Sequence, residues 1–529
     1  MAVISIDAGT TGIRAFVVDR GGAPVARAYR EFAQHFPRPG WIEHDAEEIW
    51  STTVTVLAEA PGLLAELLPG EAVDAIGITN QRETAVAWDA RTGLPRHRAV
   101  VWQDRRTADR CEQLESDGHL PRIRALTGLV LDPYFSASKF EWLLTDGGVA
   151  ADDDLRLGTV DSWLLWKLTS GTASAGAVHA TDPSNASRTM LYDISDRRWS
   201  SELCELFGVP IGALPEVRPS CGVFGLTAAD GPLGGGIPVS GIAGDQQAAL
   251  FGQACLSPGM AKNTYGTGSF VLLNVGAECP APVDGLLTTV AWEIPTRVFD
   301  DVAGPGGADG SDGSVGSDGS ATVTHYALEG AIFVTGAAVQ WLRDGLGIIA
   351  EASEVGPLAA SVDDTGGVFV VPAFAGLGAP DWDPYARGTV VGITRGTTRA
   401  HIARAVVEAM AFQTRDVVRS MTDATGVDLA ELRVDGGAAA MDLLLQVQAD
   451  QLGVPVVRSA VAETTALGAA LLAGLGAGVW SSAAELAANW RADARVPPST
   501  DPERLTAADA GHRMWRRAVT RSLAWADGG

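Results

Sequence analysis

Asp7-Ala8-Gly9-Thr10-Thr11-Gly12-Ile13-Arg14 places a carboxylate, two hydroxyls, two glycines and a guanidinium on one short stretch of chain. Small residues let backbone N–H groups approach an anion, and the hydroxyl and guanidinium donors complete a cradle for phosphate oxygens. Alone, the stretch would equally suit a tight turn with a surface arginine. It has two companions: Tyr265-Gly266-Thr267-Gly268-Ser269, and Asp435-Gly436-Gly437-Ala438 after a strand-like run. Such a set is expected where phosphates are pinched between two domains. Other nucleotide-handling designs are excluded. The only lysines, Lys139, Lys167 and Lys262, do not follow glycine, so there is no P-loop. Protein-kinase H-R-D and D-F-G motifs are missing, and no glycine cluster has the third glycine of a dinucleotide fingerprint.

The elements that must hold these residues are legible nearby. Residues 3–7 and 13–19 read as strands around the first glycine-threonine turn, and 24–29 as a third strand, making a β-meander. The design recurs about 250 residues later, with strands at 259–264 and 270–275 around the second turn. Two hairpins, one opening each half, predict a duplicated architecture. Strand-like runs at 75–79, 239–242 and 432–434 end beside Asn80-Gln81-Arg82-Glu83, Gly244-Asp245 and Asp435-Gly436-Gly437, and ligands collect at such carboxyl ends in α/β sheets. Residues 400–425 have apolar side chains at three-to-four spacing and Gly426 to stop the helix. The predicted class is α/β with two large domains, 1–250 and 251–529.

The chain has 529 residues, a net charge of −25 and 46% hydrophobic residues, enough to bury full cores. A polyanion without a basic patch repels nucleic acid and anionic membranes. No apolar run is long enough to insert in a membrane; residues 466–480 read instead as a buried helix with a glycine-rich end. Five scattered cysteines lack paired spacing, which favours a reducing compartment and makes the cytoplasm the expected location. Residues 303–321, rich in glycine, serine and aspartate, read as a flexible insert, since a calcium-binding nonapeptide register is absent.

The three phosphate-type sites together resemble the actin, hexokinase and Hsp70 ATPase superfamily, and within it the FGGY carbohydrate kinases. Gly77-Ile78-Thr79-Asn80-Gln81-Arg82-Glu83-Thr84, Val101-Trp102-Gln103, Asp132-Pro133-Tyr134-Phe135-Ser136, Asn185-Ala186-Ser187-Arg188-Thr189-Met190, Ser240 to Gln247, Lys262 to Gly268 and Trp382 to Gly388 are similar to the glycerol-phosphorylating branch of that family. The resemblance spans nearly the whole chain. It implies two ribonuclease H-like domains with a cleft between them, and ATP-dependent phosphorylation of glycerol. A kinase for another small polyol or ketose is the alternative. A nucleotide-switched binding protein of the superfamily is a third reading, which the polyol residues argue against.

The resemblance gives Asp245, placed on a short loop after a buried strand, the role of catalytic base; the competing reading is a helix N-cap. Arg82, Glu83, Tyr134 and Gln246 have the groups to hold hydroxyls, with Trp102 and Phe270 as apolar walls. For ATP the family pattern carries over to Thr10, Thr11, Gly12 and Arg14 at one hairpin, Thr267 at the other, and Gly336, Gln340, Gly437 and Met441 around the nucleoside. Mg²⁺ is implied, with Asp7 the nearby carboxylate. Similar enzymes are dimers or tetramers, so a homo-oligomer is expected.

The chain departs from the pattern at Ala8 (usually glutamine), Gly12 (usually serine) and Met441 (usually asparagine). Gly234-Gly235-Gly236 also lacks the arginine that the bacterial family uses for inhibition by fructose bisphosphate, and the region has no histidine for phosphohistidine activation. Fructose bisphosphate is therefore expected to inhibit weakly or not at all, and nanomolar-to-micromolar inhibition in a titration would contradict this.

Overall fold

The computed structural model describes residues 2–299 and 321–526, so the predicted flexible insert, apart from Ala321, lies outside the described residues. The meander expected at the amino terminus forms as β1 (Ala2–Ala8), β2 (Gly12–Asp19) and β3 (Pro24–Glu31). Parallel to β1 runs β4 (Val73–Asn80), and β5 (Cys221–Leu226) and β6 (Pro238–Gly244) complete a sheet of order β5-β6-β4-β1-β2-β3.

The second sheet repeats the plan. A hairpin of β7 (Met260–Tyr265) and β8 (Ser269–Gly276) is flanked by β9 (Leu287–Pro295) and β10 (Thr322–Ile332) on one side. On the other lie β11 (Glu431–Gly436), β12 (Val456–Ser459) and β13 (Ala492–Val496), giving the order β9-β10-β8-β7-β11-β12-β13. In each sheet an antiparallel hairpin sits centrally, a third antiparallel strand follows its second member, and two parallel strands follow its first. Each turn thus lies where the parallel strands end, where α/β sheets place ligands.

Apolar alternation explains the layers. Ile4, Ile6, Ile13, Ala15 and Val17 turn to one face of the first sheet, against α1 (Ala46–Leu67) and α2 (Val160–Thr169). Val3, Phe16 and Val18 turn to the other face, covered by α3 (Asp245–Gly252) and α5 (Thr464–Gly476). Between the last two in sequence, α4 (Arg399–Thr425) opens with a Thr398–His401 capping box. It closes on Gly426 at φ +68°, the left-handed turn that favours glycine. The helix expected within residues 466–480 is the buried α5.

Helix α5 belongs to the second half of the chain yet packs on β1, β4 and β6 of the first, and α3 straddles the boundary expected at 250/251. The close approach depends on glycine. A Cβ on Gly77 or Gly241 would strike the α5 backbone at Ala469 or Ala473, and one on Gly468 would strike the Ala248 carbonyl of α3. Gly468→Ala should destabilise the protein by about 1–2 kcal/mol net, the overpacking cost exceeding the gain in helix propensity. Gly62→Ala, in an exposed turn of α1 with nothing within 4 Å, should stabilise it by about 0.5–1 kcal/mol. Denaturant midpoints of the two variants, expected to move in opposite directions, check both.

Candidate active site

Segment 81–84 follows the carboxyl end of β4, and Asp245 follows that of the parallel neighbour β6. The short loop expected before Asp245 is absent. Strand β6 passes directly into α3, Gly244 is the N-cap, and Asp245 is the first helical residue, its Oδ1 accepting the Gln246 N–H at 2.7 Å. Arg82 Nε lies 3.0 Å from that same oxygen. The Asp245 side chain retains 31% of its exposure, whereas Arg82 retains 2%.

Arg82 is one corner of a buried charge lattice. Its Nη1 and Nη2 meet Glu329 Oε2 and Oε1 at 2.5 and 3.1 Å. Arg188 reaches Glu83 Oε1 through Nε at 2.6 Å and Glu329 Oε1 through Nη2 at 3.0 Å. Two guanidiniums and two carboxylates thus neutralise one another out of water. Burial alone would raise the Glu329 pKa, but Arg188 and Arg82 outweigh it and hold the carboxyl at about 2. Glu83 is driven the other way because burial prevails over its two arginines. Glu83 also sits at φ +61°, which is strained for a non-glycine residue.

The lattice borders a cavity of about 630 Å³ lined by Trp102, Tyr134, Gln246, Phe270, Phe333 and Trp382, among others. Four predicted polyol residues therefore line it, while Arg82 and Glu83 lie behind Tyr134, whose hydroxyl is 3.5 Å from Arg82 Nη2. Lys139 anchors the Tyr134 loop through the Tyr134 and Phe135 carbonyls, at 2.6 and 2.9 Å. Lys262, on β7, donates to Gln246 Oε1 and, at 3.1 Å, to Thr264 Oγ1. Burial lowers both ammonium pKa values to about 8.

A second cavity, of about 890 Å³, contains the predicted nucleoside residues Gly336, Gln340, Gly437 and Met441 in its lining, together with Thr267 of the second hairpin. Gly266 and Thr267 line both cavities, so the β7–β8 hairpin forms the wall where they meet. The first hairpin lines neither. Thr10 is nevertheless tied to the smaller cavity, because the Trp102 indole N–H donates to its Oγ1 at 2.9 Å. Trp102, expected as an apolar wall, is thus also a polar link. Thr11 is exposed at the turn. Gly12 is a close-approach glycine, since a Cβ there would fall 2.6 Å from the Tyr29 hydroxyl. Arg14 is held by Asp7 Oδ2 at 3.0 Å and Glu463 Oε2 at 2.5 Å. Burial raises the Asp7 pKa to about 6, with Arg14 opposing and Asp245 and Glu463 adding to the rise. Among the described residues, no group of three or more His, Cys, Asp or Glu side chains is gathered as a metal site, and no helix is long and apolar enough to cross a membrane. The five cysteines form no disulfide.

Residues 2–252 match the N-terminal domain, and 261–477 the C-terminal domain, of the FGGY family of carbohydrate kinases. The chain belongs to that family. It is 52% identical to a glycerol kinase of Bordetella parapertussis, over 99% of this chain and 97% of the relative. Glycerol kinase 2 of Thermotoga maritima is 50% identical over 99% of each chain. The structure of Plasmodium falciparum glycerol kinase with ADP superposes with a TM-score of 0.87 at 32% identity, covering 99% of this chain and 98% of that one. A xylulose kinase of Lactobacillus acidophilus, 18% identical with a TM-score of 0.83, shares the fold. The two-domain, actin-like ATPase architecture is thus that of an FGGY kinase.

The sequence reading did not single out Glu329, Arg188 or Lys262 as site residues. Arg188 and Lys262 lay inside motifs already noted, and Glu329 is a lone charge in the otherwise apolar Ala327-Leu328-Glu329-Gly330-Ala331-Ile332. Breaking a buried ion pair costs about 3–5 kcal/mol, and holding a carboxyl at about 2 instead of 4.5 corresponds to about 3 kcal/mol. Because the folded-state pKa is depressed, this stabilisation is complete above about pH 4.5 and lost as pH falls toward 2. Glu329→Gln should lower stability by about 3 kcal/mol at pH 7 and flatten the acid limb across that window, as read by denaturant unfolding at a series of pH values.

Proposed function

We propose that this FGGY kinase transfers the γ-phosphoryl group of ATP to a terminal hydroxyl of glycerol, giving sn-glycerol 3-phosphate and ADP. The observation that carries the reading is a small cavity, lined by Trp102, Tyr134, Gln246 and Phe270 and backed at the Tyr134 hydroxyl by the Arg82–Asp245 pair, that meets a nucleoside-sized cavity at a glycine-threonine hairpin. Relatives named glycerol kinase over nearly the whole chain, and the ADP in the Plasmodium relative, support the same substrates.

In this reading Asp245 accepts the proton of the attacking hydroxyl as its oxygen bonds to phosphorus and the bond to the ADP oxygen breaks. Arg82 and Gln246 orient the carboxylate and the polyol, Glu83 and Tyr134 engage the remaining hydroxyls, and Trp102 and Phe270 cover the carbon chain. Gly336, Gln340, Gly437 and Met441 hold the nucleoside, Met441 offering a thioether surface rather than an amide, and Thr267 meets ATP at the second hairpin. Thr10, Thr11, Gly12 and Arg14 face the phosphates, and phosphate oxygens would replace Glu463 as partners of Arg14. The donor set fits Mg²⁺: Asp7 is a carboxylate whose ionisation is opposed by burial and by neighbouring Asp245 and Glu463, an electrostatic load that a cation relieves. Bound there, Mg²⁺ would neutralise the β- and γ-phosphates. Cytoplasmic location and a homo-oligomer belong to the same reading.

With ATP, Mg²⁺ and a panel of glycerol, dihydroxyacetone, erythritol, xylulose and ribulose, a coupled ADP assay should give the highest kcat/KM with glycerol. Asp245→Asn should lower kcat by about 10²–10⁴-fold while glycerol binding remains measurable. Full activity in that variant, or a preference for another member of the panel, would overturn the corresponding assignment.

A further inference from the structure

Beneath the first hairpin the Trp102–Thr10 link belongs to a closed ring of hydrogen bonds whose other members, Gln34, His44, Gln81 and Thr84, have no assigned role. Gln34 donates Nε2–H to the Thr10 carbonyl at 2.8 Å, which turns its Oε1 toward His44 Nε2, 2.6 Å away. An amide oxygen accepts only, so His44 carries its proton on Nε2. Nδ1 is then an acceptor, and Gln81 Nε2 approaches it at 3.3 Å while also donating to the Gly9 carbonyl at 3.1 Å. The Thr84 hydroxyl donates to Gln81 Oε1 at 3.0 Å and accepts the Trp102 backbone N–H at 3.2 Å. Trp102 Nε1 returns to Thr10 Oγ1. Each bond fixes the donor direction of the next, so the six residues share one consistent arrangement.

His44, Gln81 and Thr84 are 0–2% exposed. The His44 ring stands edge-on to Phe32 with centroids 4.9 Å apart, and burial, with a smaller contribution from neighbouring His35, pushes its pKa down to about 4. It belongs to the short strand Glu43–His44, which pairs with Ala99–Val100 just before Trp102. Arg82 and Glu83 lie between the ring members Gln81 and Thr84. In a trans peptide C=O and N–H point in opposite directions. Drawing the Gly9 and Thr10 carbonyls inward therefore turns the N–H groups of Thr10 and Thr11 away from the ring. Because Thr10 Oγ1 accepts from Trp102, its own hydroxyl proton remains to be donated elsewhere.

We propose that His44 is a positioning residue for phosphoryl transfer: through Gln34 and Gln81 it fixes the Gly9–Thr10 hairpin against the polyol segment Arg82–Glu83. This rests on the reading that the hairpin meets phosphate and the segment meets glycerol. A displacement of about 1 Å between reacting groups costs on the order of 10²-fold in rate, so the ring acts on kcat more than on ground-state binding.

Two measurements test it. In ¹⁵N-histidine spectra of the wild-type protein, His44 should show the neutral Nε2–H tautomer without titrating between pH 5 and 9; the Nδ1–H tautomer, or titration in that range, would overturn the ring. His44→Phe keeps the volume and the Phe32 contact but removes both hydrogen bonds. It should lower kcat by about tenfold or more while the calorimetric Kd for glycerol changes less than about threefold, and His44→Gln, which restores a donor toward Gln34, should recover part of the loss. Unchanged kcat, or a loss confined to Kd, would overturn the proposal. Should His44→Phe fail to fold, Gln34→Met and Thr84→Val break the ring at other links, and their double variant should lose no more kcat than the worse single one; additive losses would overturn it. Wild-type protein that does not phosphorylate glycerol would instead overturn the functional reading, while the spectra still decide the ring.

Discussion

Glu329 lies 0% exposed between two guanidiniums, and neither side of that contact is tolerable alone. A buried arginine without a carboxylate, or the converse, costs several kcal/mol, so the strand of the second half that bears Glu329 and the segments of the first half that bear Arg82 and Arg188 must be brought together. Once they are, Arg82 has satisfied its two terminal nitrogens on Glu329 and presents Nε to Asp245. The orientation of the aspartate at the start of α3 thus depends on a partner from the other half of the chain. The buried charges thus tie the strand bearing Glu329 in the second half to two segments of the first.

Backbone proximity is the second constraint, and it acts through what glycine lacks. Gly77 and Gly241 on adjacent strands, and Gly468 on α5, remove the side chains that would hold α5 away from the first sheet and from α3. The helix that closes this approach carries Glu463 immediately before its first turn, where it pairs with Arg14. A packing requirement along the helix thereby sets an electrostatic contact at its end. At the second hairpin, Gly266 and Thr267 belong to one short turn, and the same turn lines both cavities.

The amino-acid sequence by itself determined the local plan. Hydrophobic alternation, the glycine-threonine turns and the stop at Gly426 depend on neighbours within a few residues, and the hairpins, parallel strands and long helix formed where those signals stood. Residue types and the family resemblance together marked Tyr134, Gln246 and Thr267, which line the cavities, because they lie in contiguous motifs read without knowledge of packing. Only the tertiary structure decided which charges pair. Arg82 and Glu329 are separated by 247 residues, as Arg188 and Glu329 are by 141, and no periodicity records such a contact. The same holds for the absent loop before Asp245, for Arg82 and Glu83 lying behind Tyr134, and for the indole N–H that makes Trp102 a polar link. Each is settled by which surfaces exclude water once the two sheets and α5 have closed on one another, and burial of that kind is a property of the assembled fold.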